Sequence, residues 1–197
     1  MPPVFETVKS FADVPVHADG VDTLAFLEAA DGLVDIFDLL GSGVFAFVQT
    51  DLRNNIAGVR TRHASRPADA HTLEALVAAE ASDRDRTATA SLVRLTRGLA
   101  FTCHALQNAQ ADPAAELHTC FRRAYDLVLR HHHTFLVRSV VAIAIRAVPR
   151  RPDFYARIAQ GADPAALARA MDPWLAALAA LVARIAAFLR AGGHGEV

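Results

Sequence analysis

Apolar residues return every three or four positions along almost the whole chain, the spacing that gives a helix one buried face. The pattern predicts helices over 22–40, 44–62, 70–81, 86–110, 112–147, 152–159 and 163–189. No apolar–polar alternation of strand length interrupts them. The gaps carry residues that stop or start helices: Gly41 and Gly43, Ser65 and Pro67, Ser82 and Asp85, Pro113, Pro149 and Pro152, then Gly161 and Pro164. The expected class is all-α, with short loops joining mostly antiparallel neighbours into a two-layer bundle. A single domain over 1–197 is expected, its first twenty residues an irregular extension.

Polar residues break the apolar faces at three places. In the second predicted helix Val44, Phe45, Val48, Leu52, Ile56 and Val59 share an arc at 100° per residue, and Asp51 and Asn55 fall on the same arc. Arg62 returns to the azimuth of Asp51. A carboxylate turned into a core without a partner is costly, so this trio is either a rim of the stripe or a site that something else completes. In the fourth helix Leu92, Leu95, Leu99, Cys103 and Leu106 form the core stripe, while Arg94 and Arg97 stand one turn apart on another face. Such a pair grips a phosphate or carboxylate, or is simply solvated. In the fifth, His131, His132 and His133 are consecutive. On one helix they point 100° apart and cannot converge on a metal. His133 shares a face with Leu129, Leu136, Val137 and Val140, where a core histidine is the plain alternative.

Composition narrows the classes. Apolar residues make up 53% of the chain, with a mean hydropathy of +0.23, which points to extra apolar surface inside. No apolar run approaches the roughly 18 residues needed to span a bilayer, Arg interrupting each, and no basic-then-apolar leader opens the chain. A cytoplasmic protein is expected. Net charge is −1 with Lys9 the only lysine, which argues against nucleic-acid binding and leaves any anion site to local arginines. Cys103 and Cys120 belong to no metal-ligand spacing and read as buried thiols.

Four ordered segments, FLEAADGLVDIFDLLGSGVFAFVQTDLRNNI, RLTRGLAF, AYDLVLRHHHTFLV and AVPRRPDF, resemble the glycolipid transfer protein superfamily over most of the chain. The resemblance implies a two-layer α-helical bundle enclosing an apolar lipid pocket, and non-vesicular transfer of a sphingolipid between membranes. It implies no covalent chemistry, cofactor or metal. Asp51 matches the carboxylate that accepts from the ceramide amide N–H, and His133 the histidine that donates to its carbonyl. Asn55 matches a headgroup-binding asparagine. Phe37, Leu40, Phe45, Val48, Val141 and Phe154 match pocket-lining positions. Phe135 matches an interfacial tryptophan, with Tyr155 and Trp174 as further candidates for transient, peripheral membrane contact and Arg138, Arg150 and Arg151 as basic neighbours. A monomer is expected.

Two departures bear on the headgroup. Arg94 stands where glycolipid-selective members carry a sugar-stacking Trp, and Gly58 where they carry a Lys. Arg94 followed by Arg97 resembles the ceramide-1-phosphate transfer branch, although that branch usually has Lys where this chain has Asn55. The expected headgroup is therefore anionic, held by Arg94 and Arg97 with Asn55 adding a neutral hydrogen bond and Arg62 or Arg60 replacing the absent lysine. The alternatives are a neutral glycosphingolipid, and a sphingolipid sensor or scaffold that binds without shuttling. A metal-dependent hydrolase built on His104, Asp126 and the triple histidine is disfavoured by ligand geometry.

Overall fold

The structure, a computed structural model, describes residues 2–39 and 46–197. Among these residues nine α-helices carry the chain: α1 (Val4–Thr7), α2 (Thr23–Asp38), α3 (Ala46–Ser65), α4 (Leu73–Glu80), α5 (Thr87–Ala111), α6 (Leu117–Val128), α7 (Phe135–Arg146), α8 (Arg151–Ala159) and α9 (Pro164–Ala191). The fold is the all-α, two-layer bundle. Helix starts follow local chemistry. Asp22, Thr72 and Asp163 each accept a hydrogen bond from the backbone N–H three residues on, which occupies a donor the helix itself leaves free. The first turn of α5 is capped from another helix: Glu80 of α4 accepts from the N–H groups of Ala88 and Thr89 and from the Thr89 hydroxyl. Gln160 and Gly161, with φ of 52° and 87°, turn the chain out of α8.

Helix α5 lies at the centre, packed against α3, α4, α6 and α9. Leu92, Leu95, Leu99, Cys103 and Leu106 form its buried stripe. Close approach of α3 and α5 is set by two glycines. A Cβ at Gly58 would stand 2.4 Å from Ser91 Oγ, and one at Gly98 would stand 2.7 Å from Leu52 Cδ2. A lysine at Gly58 would therefore separate the helices unless Ser91 moved, which gives this departure from the glycolipid-selective pattern a packing cause.

The chain before residue 20 is structured rather than irregular. A 3-10 turn at Phe11–Asp13 follows α1, then a hairpin pairs β1 (Val16–His17) with β2 (Gly20–Val21), Val16 opposite Val21. Phe5 and Phe11 pack on Trp174 of α9, with ring centroids 5.0 and 5.1 Å away. Apolar residues at 4, 5, 11 and 14 are buried here, at intervals too uneven for a helical signal.

The expected helix over 112–147 is divided. Residues 112–116 precede α6, and a 3-10 turn at Arg130–His132 with Thr134 as N-cap separates α6 from α7. No Pro or Gly marks this break. Arg138 stabilises it by donating from Nε to the carbonyls of Arg130 and His133, each at 3.0 Å. Because the helix is broken, His133 does not share a face with Leu136 and Val140, which are exposed. The hydropathy expectation also needs correction. Helix α9, with 28 residues and an 18-residue window of mean hydropathy 1.7, is long and apolar enough to span a bilayer by length and composition, yet its Leu167, Met171, Trp174, Leu178, Ile185 and Leu189 face the core.

Candidate functional site

A cavity of about 300 Å³ opens where α3, α5 and α7 meet the turn before α7. Its inner wall is apolar, with Phe37 of α2, Val48 and Leu52 of α3, Phe101 of α5, Phe121 of α6, and Val141 and Ile145 of α7. Its polar groups are Asp51, Arg94, Arg97, His132 and His133. Three elements far apart in sequence thus bring the expected carboxylate, histidine and arginine pair to one opening.

Each polar group has a distinct environment. Asp51 is exposed at the rim, so it needs no buried partner, contrary to the position on the core arc read from periodicity. His133 Nδ1 lies 3.2 Å from the Tyr125 hydroxyl. Burial, together with Arg138 and Arg97, lowers the His133 pKa, with Asp51 opposing, so its ring is neutral near pH 7. Arg94 is exposed, while Arg97 is half-buried and donates from Nε to the Glu196 carbonyl at 2.7 Å. Burial and the neighbouring Arg94 lower the Arg97 pKa; it remains a cation.

Other expected residues lie elsewhere. Asn55 is 4% exposed and donates from Nδ2 to the Asp51 carbonyl at 2.7 Å, one turn back on its own helix. It is off the cavity wall because the helix takes up its amide. Arg62 pairs with Asp83 at 2.8 Å and with Glu80 at 3.9 Å, so its charge serves the α3–α4 junction. Phe154 lines a smaller apolar cleft beside the cavity, and Phe37 and Phe121 line both. Leu40 and Phe45 lie outside the described residues. Trp174 is 1% exposed and has no face to offer a membrane. Tyr155 is partly buried under the Arg151 guanidinium, and Arg151 itself donates to the carbonyls of Ala109, Asp112 and Ala115. Phe135, by contrast, is 85% exposed. Periodicity gave no sign of His132, Phe101 or Phe121 on the cavity wall, or of Tyr125 beside His133, because the 3-10 turn and the α5–α6 packing bring them in.

Residues 21–160 match the family described as Glycolipid transfer protein (GLTP). The chain belongs to the glycolipid transfer protein family. The "Glycolipid transfer protein" of Aureobasidium melanogenum is 39% identical over 186 residues, covering 94% of this chain and 92% of that one. The human pleckstrin homology domain-containing family A member 8 is 34% identical over 164 residues, 80% of this chain but only 31% of that protein. Among solved structures, HET-C2, a fungal glycolipid transfer protein, superposes with a TM-score of 0.90 at 38% identity, covering 95% of this chain and 96% of that one. Human ceramide-1-phosphate transfer protein, in complex with 12:0 ceramide-1-phosphate, gives 0.87 at 18% identity, covering 98% and 97%. That likeness is one of fold. As a glycolipid transfer protein family member, the chain falls among proteins that bind and transfer lipids. Its cavity pairs an apolar interior with a polar mouth, as an amphiphilic ligand requires.

Proposed function

We propose that this protein carries a sphingolipid between membranes, holding the ceramide amide between Asp51 and His133 and an anionic headgroup with Arg94 and Arg97. The observation that carries this reading is the convergence of those four side chains at the mouth of one apolar cavity. Asp51 accepts from the amide N–H. When the Tyr125 hydroxyl donates to His133 Nδ1, the ring proton sits on Nε2, ready to donate to the amide carbonyl. Two guanidiniums one turn apart suit a phosphate, and no tryptophan or tyrosine lines the cavity as a sugar-stacking plate among the described residues. A volume of about 300 Å³ is at the low end for small-ligand pockets, so the hydrocarbon chains enter by displacing Phe37 and Phe121, the side chains between the two clefts. Phe135, Leu136 and Ile143 of α7 meet the bilayer interface, the membrane contact being transient and the protein otherwise cytoplasmic.

A neutral glycosphingolipid is the second reading, favoured by the 38–39% identity to fungal proteins named for glycolipid transfer. Intervesicle transfer of fluorescent ceramide-1-phosphate and galactosylceramide separates the two. Asp51→Val and His133→Leu are expected to reduce transfer of both lipids by about tenfold or more with unchanged far-UV circular dichroism, each removing one charge-assisted or buried hydrogen bond to the amide. Retained transfer in both variants overturns the amide site. Arg94→Ala is expected to reduce phosphate-lipid transfer more than glycolipid transfer, and equal losses favour the neutral reading. Tight lipid binding without transfer by the parent protein identifies a sensor instead.

A further inference from the structure

Among the described residues that line the cavity, one has a side-chain nitrogen that is covered in the unliganded protein and has no hydrogen-bond partner: His132, at Nε2. A buried imidazole nitrogen ordinarily finds a partner, and one that lacks it on a cavity-lining residue has hydrogen-bonding capacity to give a ligand whose entry opens that wall. The turn fixes the backbone of His132, and a neighbouring ring lies against its side chain. Its backbone N–H donates to the Leu129 carbonyl at 3.0 Å within the 3-10 turn. Its ring centroid lies 3.9 Å from that of His131. The charged and titratable groups around it are Arg97 of α5, His131 and His133 of its own turn, and Glu196 near the end of the chain. The Glu196 carbonyl takes the Arg97 Nε–H, so the Arg97 terminal nitrogens remain for a ligand.

We propose that His132 is a headgroup-binding residue, donating from Nε2 to a phosphate oxygen that Arg97 also holds. The proposal rests on the anionic-headgroup reading. Burial first, then Arg97, lowers the His132 pKa, so the ring is neutral at neutral pH without ligand. A phosphate placed against it reverses the sign of the local field and returns the proton. Ceramide-1-phosphate affinity then contains a contribution from His132 that grows as pH falls. The three histidines divide accordingly: His131 is exposed, His132 serves the headgroup and His133 serves the amide.

The test compares the full chain with His132→Gln, using vesicles that carry fluorescent ceramide-1-phosphate or galactosylceramide. The ratio of parent to variant affinity cancels the titration of the lipid phosphate itself. For ceramide-1-phosphate this ratio is expected to be about tenfold near pH 6 and to shrink to about threefold near pH 8, with galactosylceramide changed by less than about twofold. Nitrogen-15 imidazole spectra supply a readout independent of transfer, in which short-chain ceramide-1-phosphate shifts the His132 Nε2 resonance. If the parent prefers the phosphate lipid while the variant keeps its affinity and pH slope, the role of His132 is overturned alone. If the parent shows no preference for the phosphate lipid, the anionic-headgroup reading falls and His132 falls with it. Equal loss of both lipids in the variant overturns the proposal in favour of a structural role for the turn.

Discussion

Tyr125 touches His133 through its hydroxyl at 3.2 Å, and in the proposed amide site the contact bears on ligand recognition, since whichever nitrogen the phenol engages fixes the capacity of the other. Tyr125→Phe is expected to weaken ceramide transfer by about threefold to tenfold, in line with one lost orienting hydrogen bond, and a smaller loss than for His133→Leu. Intervesicle transfer rates for the two variants check this ordering. The same two histidines set a pH dependence of folding. Burial lowers the pKa of both His132 and His133, so the unfolded chain takes up protons that the folded protein refuses. Stability is therefore complete above the ordinary histidine range and is lost as pH falls through it toward the lowered folded values. A Tm lower near pH 5.5 than near pH 7.5 is expected, with a shallower slope in His133→Gln, measured by thermal melts. Asp51 was legible in the sequence as a polar group interrupting an apolar pattern, and His133 through the family resemblance. Their surroundings were not: periodicity put Asp51 inside and the structure puts it at the rim.

At the scale of elements, α7 is apolar on two of its faces. Val137, Val141 and Ile145 face the cavity, while Leu136, Val140 and Ile143, spaced by four and three residues, are exposed beside Phe135. A helix with one apolar face buried and another open suits a protein that must meet lipid. Leu136→Ser with Ile143→Ser is expected to slow intervesicle transfer by about tenfold while leaving binding of a soluble short-chain ceramide-1-phosphate within about twofold, because the substituted face removes apolar area from the bilayer contact alone. Equal effects in both assays would place these side chains in the ligand site. The sequence displayed the apolarity of α7 but not where it starts. Nothing in LRHHHTF resembles a helix stop, and the break exists because Arg138 reaches back to two carbonyls, a contact across five and eight residues.

The whole molecule is held by layers that meet on α5 and by an N-terminal segment locked onto α9. Trp174 is enclosed by Phe5 and Phe11 and is 1% exposed, so Trp174→Ala is expected to cost about 3–5 kcal/mol in urea unfolding, as for other large aromatic deletions from cores. A change below about 1 kcal/mol would mean that the N-terminal segment does not depend on this packing. By itself the sequence determined the all-α class, six of the seven predicted helical segments to within a few residues, and the polar residues that mark the family, because helical period, caps and Gly/Pro breaks act over a few neighbouring positions. Only the tertiary structure decided which of those polar residues share a site. Asn55 is consumed by a partner on its own helix and Arg62 by Glu80 of α4 and Asp83 just beyond it, Trp174 is taken by the core, and His132 joins Arg97 at the cavity through a turn that local propensity does not announce. Asn55 is settled within one turn of its own helix, but the burial of Trp174, the pairing of Arg62 and the meeting of His132 with Arg97 depend on segments far apart in sequence, where shape, burial and charge are settled jointly by the elements that pack there.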